Sequence, residues 1–535
     1  MSCCRGAGVV GLLRFVASGE PSLEDRALAA LLQRLTGDDL VTMVARLHAA
    51  VASLEGQLAA AEKAQSRQWR EREARLRAEL KAEKERADGL QARVDELSRR
   101  LARDSSNSSR PPSSDGPFRG PRKPSSREPS GRRPGKQPGA PSSTLGQVPD
   151  PDERVECAPA QCCGCGADLA GAPVVGEQRR QVLEARPVPP PLVTEYVLQA
   201  RQCACGQVTE GAAPAGVTGR AQYGPRVRAL AALLTTWHHV PVGRAAVMMA
   251  QLAGVRVSAG FTAAARGRAA VLLAPFMDRA RELLSAAPVL HADETPVRAA
   301  GVSRHLHVAC TPHLTAMHAA RRTIEGIDAG AVLPGYAGVL VRDGYSGYQH
   351  LEGAVHAWCG AHLLRDLKGL HDDSPATQQW AAAMAAVLHG ALAATRAARA
   401  AGHERLPASE QAAIRAAYRD ALAGGITANQ GTRGMTAAAG LTLAMRFGRH
   451  EDMILRFTTS LAIPFTNNQA ERDLRHAKLQ QHASGGHWRT LLGLADYATV
   501  RSYLSTAAKW GTDPLDALTR LFTDGPWLPP AAHPG

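Results

Sequence analysis

The chain has 535 residues, of which 44% are hydrophobic and 21% are charged. This composition excludes a wholly disordered chain, and the length predicts two to four domains. No run of about 18 uncharged apolar residues occurs, so we expect no membrane-spanning helix. With 63 basic and 49 acidic residues, the formal net charge is +14. Such a charge favours a polyanionic partner, most often nucleic acid, although basic proteins without one exist.

The cysteine content and the N-terminus indicate the compartment. Ten cysteines are too few for a disulfide scaffold, and five of them lie in two tight clusters. Clustering of this kind favours metal binding in a reducing compartment. The apolar run at Val9–Leu13 is interrupted by Arg14, and no clean cleavage site follows. We therefore expect no signal peptide and a cytoplasmic location.

Residues 21–103 are predicted to be helical. Apolar residues follow a heptad pattern in the first half of this segment: Leu40, Val44, Leu47, Val51, Leu54 and Leu58. Leucine at d and mostly β-branched residues at a are typical of a parallel dimeric coiled coil, which predicts a homo-oligomer; the alternative is a single solvated helix. A second apolar register from Leu76 to Leu101 is out of phase with the first, which predicts a break at Gln65–Arg75.

Residues 104–150 are rich in Ser, Pro, Gly and Arg, with almost no apolar residues. Such a segment cannot bury enough surface to offset its ordering entropy, so it is predicted to be a flexible basic linker.

Residues 151–215 contain the two cysteine clusters, with strand-like pieces at Gln181–Leu183 and Thr194–Leu198 between them. Four thiolates on two turns can form a tetrahedral structural Zn²⁺ site. The expected ligands are Cys162, Cys165, Cys203 and Cys205. The second pair has the spacing C-x-C rather than C-x₂-C, and reduced cysteines without a metal are the alternative.

Residues 216–286 are predicted to be helical. A helix at Arg244–Ala253 is followed by a short turn and by Ser258, a good N-cap for a second helix. The pair is similar to a helix-turn-helix, in which Arg266 and Arg268 on the second helix would contact DNA. Packing alone is the alternative role for these helices.

The segment 287–374 changes to strand-like patterns. Five apolar stretches predict strands: Pro288–Asp293, His305–Cys310, Leu314–His318, Gly338–Asp343 and Val355–Cys359. Helices are predicted at Asp328–Leu333 and Ala361–Leu370. This order, with acids at the ends of the first and fourth strands, is the plan of a ribonuclease-H-like core.

The remainder of the chain is predicted to be mostly helical. Residues 375–460 form an Ala-rich helical insertion, and residues 461–525 complete the core with a polar helix that contains Glu471. The predicted class is therefore a multidomain α+β protein. It has an N-terminal coiled coil, a small zinc-binding domain, a helical DNA-binding region and a ribonuclease-H-like α/β core with a helical insertion.

Three acids are the candidates for a phosphoryl-transfer site. Asp293 and Asp343 end adjacent strands in this plan, and Glu471 on a later helix can supply a third carboxylate. Two Mg²⁺ ions held by carboxylates can activate the attacking oxygen and stabilise the leaving oxygen of a phosphodiester. Arg475 and Lys478 follow Glu471 at helical spacing and suit DNA phosphates. An ordinary Glu–Arg surface pair is the alternative.

Several motifs together closely resemble the insertion-sequence-66 type (IS66 family) of transposases, a bacterial DDE family. The motifs are DSSNSSRPPSSD (104–115), the two cysteine turns, LHADETPVR (290–298), VRDGYSGY (341–348), WCGAHLLRDL (358–367) and NNQAERDLR (467–475). The resemblance implies binding of terminal inverted repeats and Mg²⁺- or Mn²⁺-dependent strand cleavage and transfer to target DNA. It implies Asp293, Asp343 and Glu471 as the catalytic, metal-binding acids.

The resemblance also leaves some points open. Thr466 stands where the family often has Asp, and Arg472 joins Arg475 and Lys478 as a candidate DNA contact on the third acidic helix. Cys359 and His362 look like a ligand or nucleophile pair, but orienting the strand-to-helix junction is the favoured role.

A noncatalytic zinc-dependent DNA-binding regulator is the competing function, and a structure-specific nuclease would share the same acids. The three acids favour the enzyme, which would act on DNA at the bacterial nucleoid, with or without accessory proteins.

Overall fold

The structure is a computed structural model, and it describes residues 26–27, 30, 37–102, 139 and 145–531. Apart from residue 139 and residues 145–150, the predicted linker lies outside the described residues. The chain divides into two compact units, Met1–Arg100 and Leu101–Gly535. The molecule is a mixed α+β protein with a helical N-terminal region and a mixed sheet.

The first unit contains one long helix, α1 (Gly37–Ala102). The predicted break at Gln65–Arg75 is wrong, because the helix continues through that stretch. Ion pairs at helical spacing support it there, including Arg67–Glu71 at 2.9 Å and Arg75–Glu79 at 2.9 Å. A shift in the phase of an apolar repeat changes the direction of the apolar stripe without interrupting backbone hydrogen bonds.

The cysteine-rich segment has little regular structure. The expected strands at Gln181–Leu183 and Thr194–Leu198 are not formed; instead β1 (Ala200–Gln202) pairs antiparallel with β2 (Val208–Glu210). The turn that carries Cys203 and Cys205 joins these two strands, so the hairpin forms around the second cysteine pair rather than between the two pairs.

Four helices follow: α2 (Pro225–Thr236), α3 (Val242–Ala253), α4 (Ala259–Leu272) and α5 (Ala274–Ser285). The predicted helix pair is confirmed in α3 and α4. α3 ends at Gly254, whose φ of +68° is the left-handed conformation that glycine adopts easily. The Ser258 side chain accepts a hydrogen bond from the Phe261 N–H at 3.1 Å and so caps α4.

A five-stranded mixed sheet forms the centre of the second unit. Its strands are β3 (Val289–Ala299), β4 (Val302–Cys310), β5 (Thr315–Ala320), β6 (Val339–Arg342) and β7 (Val355–Trp358), in the order β5-β4-β3-β6-β7. β3, β4 and β5 form an antiparallel meander, whereas β6 and β7 run parallel to β3. All five predicted strands are present, but β3 extends to Ala299 rather than ending at Asp293, because its second half pairs with β4.

The short helix between β5 and β6 is displaced from its predicted position. The expected helix at Asp328–Leu333 is wrong; α6 spans Ile324–Asp328. Thr323 fixes its start, because the Thr323 hydroxyl accepts a hydrogen bond from the Gly326 N–H at 3.2 Å.

The remaining helices lie in segments that were predicted to be helical. They are α7 (Gly360–Asp373), α8 (Gln379–Ala400), α9 (Ala408–Asn429), α10 (Met435–Arg449), α11 (Glu451–Ile454), α12 (Asn468–Ala483), α13 (Leu491–Lys509) and α14 (Pro514–Asp524). By length and composition alone, α8 could cross a membrane, whereas no membrane-spanning helix is expected from the sequence. Its residues Trp380, Met384 and Leu388 are buried in a core shared with α7 and α9.

The two faces of the sheet pack against different helices. Leu290, Ala292 and Leu340 belong to the core formed with α2–α5, α13 and α14. The opposite face packs Val297 and Leu306 against α12 and the start of α13. Because side chains alternate along a strand, Asp293 is on the same face as Val297 and is directed to the α12 side.

Candidate active site

Asp293 and Asp343 lie at corresponding positions of neighbouring parallel strands. Val289 pairs with Val339 and His291 with Val341, and the same offset in sequence relates Asp293 to Asp343. β6 ends just before Asp343, whereas β3 continues past Asp293 to Ala299, so the expectation that Asp293 ends its strand is wrong. The register of the two strands still makes Asp293 and Asp343 neighbours, as the sequence predicts. Each carboxylate also accepts a hydrogen bond from a nearby backbone N–H: Asp293 from Glu294 at 2.8 Å, and Asp343 from Tyr345 at 2.9 Å.

Asp293 lies in a strongly acidic, partly buried environment. Burial raises its pKa well above the ordinary value, and the negative charges of Asp343, Glu294 and Glu471 raise it further. The neighbouring Glu294 has its own partners: it accepts hydrogen bonds from Arg322 at 2.7 Å and from the Tyr348 hydroxyl at 2.6 Å. Asp293 has no such cation among the described residues, so the site lacks positive charge at this carboxylate.

Asn467 connects the sheet to the helix that bears Glu471. This fully buried residue donates its amide N–H to the Ala292 carbonyl at 2.8 Å, and its Oδ1 accepts from His291 Nδ1 at 2.9 Å. Its backbone N–H also donates to Cys359 Sγ at 3.1 Å. α12 begins at the next residue, so Asn467 sets the position of Glu471 in the first turn relative to Asp293. This role was not predicted from the sequence, where the paired asparagines before a polar helix were the available signal.

Gly360 allows this approach of the α12 segment. A Cβ at residue 360 would lie 2.1 Å from the ring of Phe465, so only glycine accommodates the ring. The Gly360 N–H donates to the Phe465 carbonyl at 2.8 Å. The junction between β7 and α7 is therefore held against the residues that precede α12.

Glu471 faces the first turns of α7. Its Oε1 lies 3.8 Å from His362 Nδ1 and 3.6 Å from an Arg365 guanidinium nitrogen. Both distances exceed a hydrogen bond, and the two buried atoms Glu471 Oε1 and His362 Nδ1 have no hydrogen-bond partner within the described part of the chain. Burial and the nearby Arg365 lower the pKa of His362, which favours the neutral ring. A neutral imidazole and an unpaired carboxylate oxygen are both available as ligands.

One cleft of about 1600 Å³ is lined by all three predicted acids, Asp293, Asp343 and Glu471. Basic side chains line the same cleft: Arg322, Arg365, Arg396, Arg446, Arg475 and Lys478. A cleft that combines carboxylates with these cations suits a polyanion whose phosphates approach a metal.

The predicted DNA contacts of α12 lie in different surroundings. Arg475 is exposed and Lys478 is half-buried, with its ammonium group donating to the Pro296 carbonyl. Arg472 is exposed and donates to Gln469 at 2.7 Å, and it does not line the cleft.

The two arginines predicted in the helix pair are also separated. Arg268 is exposed, whereas the Arg266 guanidinium is largely buried near Asp496 and Tyr497 of α13. Burial lowers the pKa of Arg266, and Asp496 opposes that effect.

The four cysteines predicted to bind zinc lie on two separate turns. Hydrogen bonding within each turn lowers the pKa of Cys162, through Cys165, and of Cys203, through Cys205. A lowered thiol pKa favours the thiolate form that binds metal. The structure does not bring the two turns together as one ligand group, so the zinc site stays a prediction.

A different group of potential metal ligands lies in the cleft. In residues 37–102 and 145–531, one group of three potential ligands has all its donor atoms within 4.8 Å of one another. It consists of Cys359, His362 and Glu471. The three predicted acids share the cleft without forming so tight a group.

Comparison with known proteins identifies the chain. The family model described as the IS66 family of transposases matches residues 220–494, which is more than half of the sequence. The chain therefore belongs to the IS66 family of transposases, as its motifs indicate. Membership implies a DNA-associated protein that uses a divalent metal. A second model, of a family of unknown function named DUF6444, matches residues 22–145. No curated protein matches the chain.

Proposed function

We propose that this transposase binds the terminal inverted repeats of its element and cleaves and transfers DNA strands through Asp293, Asp343 and Glu471. The single observation that carries the proposal is that these acids, distant in sequence, line one cleft whose walls are basic. The strand order supports a ribonuclease-H-like core made of residues 287–374 and 461–525, with residues 375–460 inserted as helices.

The donor set fits Mg²⁺ or Mn²⁺. Carboxylate oxygens are the hard ligands that these ions prefer. Asp293 carries a raised pKa caused by burial and by other acids, and Glu471 has an orphaned buried oxygen, so a cation would relieve both unfavourable features. When bound, the ions would lower the pKa of the attacking water or hydroxyl and stabilise the leaving oxygen.

The chain's own residues would position the DNA. Arg475 and Lys478 lie beside Glu471 on α12 and would hold the phosphates next to the scissile bond. Asn467 holds α12 to the sheet and keeps Glu471 over Asp293. Arg268 and Arg472 are exposed and would contact DNA farther from the site; Arg266 would have to leave its buried position to do so.

The outer segments would support assembly on DNA. α1 would dimerise through its heptad positions, and Cys162, Cys165, Cys203 and Cys205 would bind a structural Zn²⁺ when the two turns come together. The protein would then act at the nucleoid as a homo-oligomer on inverted repeats and target DNA, with accessory proteins of its element where these are required.

The test is cleavage and joining of DNA that carries the element's own ends, in Mg²⁺. The variants Asp293→Asn, Asp343→Asn and Glu471→Gln should lose at least about a thousandfold in rate while retaining DNA binding. Asp278→Asn and Glu282→Gln, which change acids on the outer surface of α5, should retain activity. Specific DNA binding without product in the wild type, even with the element's accessory proteins added, would instead support the noncatalytic regulator.

A further inference from the structure

We infer that Cys359, His362 and Glu471 form a metal site for a thiophilic divalent cation of the Zn²⁺ type, beside the Asp293–Asp343 pair. The site is separate from the four cysteines of the N-terminal turns. It shares only Glu471 with the proposed catalytic acids.

The spacing and positions of the ligands support this assignment. Cys359 is the N-cap residue of α7 and His362 lies in its first turn, so a C-x-x-H pair presents both donors from one rigid helix end. Glu471 supplies the third donor from the first turn of α12. All three donor atoms lie within 4.8 Å of one another, which a tetrahedral Zn²⁺ site reaches by small side-chain rotations.

Two unpaired polar atoms support a ligand at this position. Glu471 Oε1 and His362 Nδ1 are buried, 3.8 Å apart and without hydrogen-bond partners in residues 145–531. Burying such atoms unpaired is costly, and a shared cation satisfies both. The Arg365 guanidinium lies 3.6 Å from Glu471, which is too far for a hydrogen bond.

The thiol has the surroundings of a metal-bound sulfur. Cys359 Sγ accepts the Asn467 N–H at 3.1 Å, and the backbone N–H groups of Ala361 and His362 also lower its pKa, although burial raises the pKa of the free thiol to about 11. Metal binding would release the thiol proton to solvent, and the N–H groups would stabilise the resulting thiolate. Cys359, His362 and Glu471 all line the cleft, so an ion can enter from solvent and retain an open fourth position.

The donor set also selects the cation. A thiolate, an imidazole and a carboxylate suit Zn²⁺ or Co²⁺, whereas Mg²⁺ prefers oxygen ligands. Excess Mg²⁺ should therefore leave the ion at Cys359 in place.

The experiment titrates the full-length, metal-free protein with cobalt(II) chloride and follows the sulfur-to-cobalt charge-transfer band. Wild type should bind about one more Co²⁺ per chain than Cys359→Ser and than His362→Gln. Cys310→Ser is the matched control, because Cys310 is equally buried but lies in the core between the sheet and α12. It should bind as many ions as wild type. The N-terminal cysteines contribute equally to all four proteins.

Equal cobalt stoichiometry and equal band intensity in all four proteins would overturn the inference. Loss of the extra ion in Cys310→Ser as well would also overturn it, since the effect would then follow core disruption. Asp293→Asn separates this site from the proposed function: it should lose strand cleavage yet keep the extra Co²⁺. Normal cleavage in Asp293→Asn would count against the catalytic proposal alone.

Discussion

At the scale of single residues, Asp293 stands in an environment that opposes its negative charge. Burial and three nearby acids raise its pKa in the folded chain. Ionising it therefore costs the folded state more than the unfolded state. The stability associated with the protonated form is complete below the ordinary pKa of aspartate and is lost as the pH rises through the raised value. Functional sites often carry such a cost in stability.

Asp293→Asn should therefore stabilise the protein in buffer without divalent cations. We expect a gain of about 1–2 kcal/mol at pH 7.5, because asparagine keeps an oxygen for the Glu294 N–H but never ionises. The gain should shrink as the pH falls towards the ordinary pKa of aspartate. Calorimetric unfolding at several pH values measures it, with Asp278→Asn as an exposed control. A constant difference across that range would contradict the electrostatic explanation.

Asn467 offers a second test at this scale. Asn467→Ala leaves His291 Nδ1 and the Ala292 carbonyl buried without their partner, so unfolding should become easier by about 2–4 kcal/mol. Urea denaturation followed by tryptophan fluorescence measures the change. The adjacent Asn468 is exposed, and Asn468→Ala should change stability by less than about 0.5 kcal/mol. Equal effects of the two variants would argue against the bridging role of Asn467.

The roles of these residues differ in how far the sequence reveals them. Asp293 lies within β3 and Asp343 directly follows β6, and the two apolar segments that form these neighbouring strands made their proximity predictable. The contacts of Asn467 depend on a backbone carbonyl and a histidine about 175 residues away. No local pattern encodes such a contact. The contact between the Phe465 ring and Gly360 was also not predictable, because it depends on how the α12 segment packs against α7.

At the scale of elements, α1 shows both the strength and the weakness of periodicity. Its helical character was predicted correctly, whereas its predicted break was wrong, because ion pairs at helical spacing continue through the change of register. Its apolar side chains are exposed along the helix; Leu54 is 63% exposed and Leu80 is 71% exposed. α6, by contrast, begins after the N-cap residue Thr323 and therefore lies N-terminal to the range that apolar periodicity predicted.

The exposed heptad stripe predicts self-association. Placing lysine at two d positions, Leu47→Lys with Leu54→Lys, should raise the dimer dissociation constant at least about a hundredfold, since each buried leucine contributes about 1.5–3 kcal/mol. Ala52→Lys with Ala59→Lys adds the same charge away from the stripe and should leave the dimer intact. Sedimentation equilibrium of the full chain distinguishes these outcomes. A wild-type monomer at micromolar concentration would contradict the coiled-coil prediction.

At the scale of the whole molecule, the sheet was the most predictable feature. Five apolar segments separated by turns predicted all five strands, and the acids associated with the first and fourth of them indicated which part of the sheet carries the candidate site. Residues 375–460 were predictable as helices, but the contribution of Arg396 and Arg446 to the cleft wall was not, because that depends on how α8 and α10 pack. The net charge of +14 is consistent with these basic walls.

The three acids that line the cleft are proposed to bind the metal used for strand cleavage. The most direct measurement compares Asp343→Cys in Mg²⁺ and in Mn²⁺ with the element's own DNA ends. A thiolate binds Mn²⁺ far better than Mg²⁺, so the variant should be inactive in Mg²⁺ and regain cleavage in Mn²⁺. Asp278→Cys, on the outer surface of α5, should be active in both. Full cleavage by Asp343→Cys in Mg²⁺, or a loss that Mn²⁺ leaves unchanged, would contradict the account.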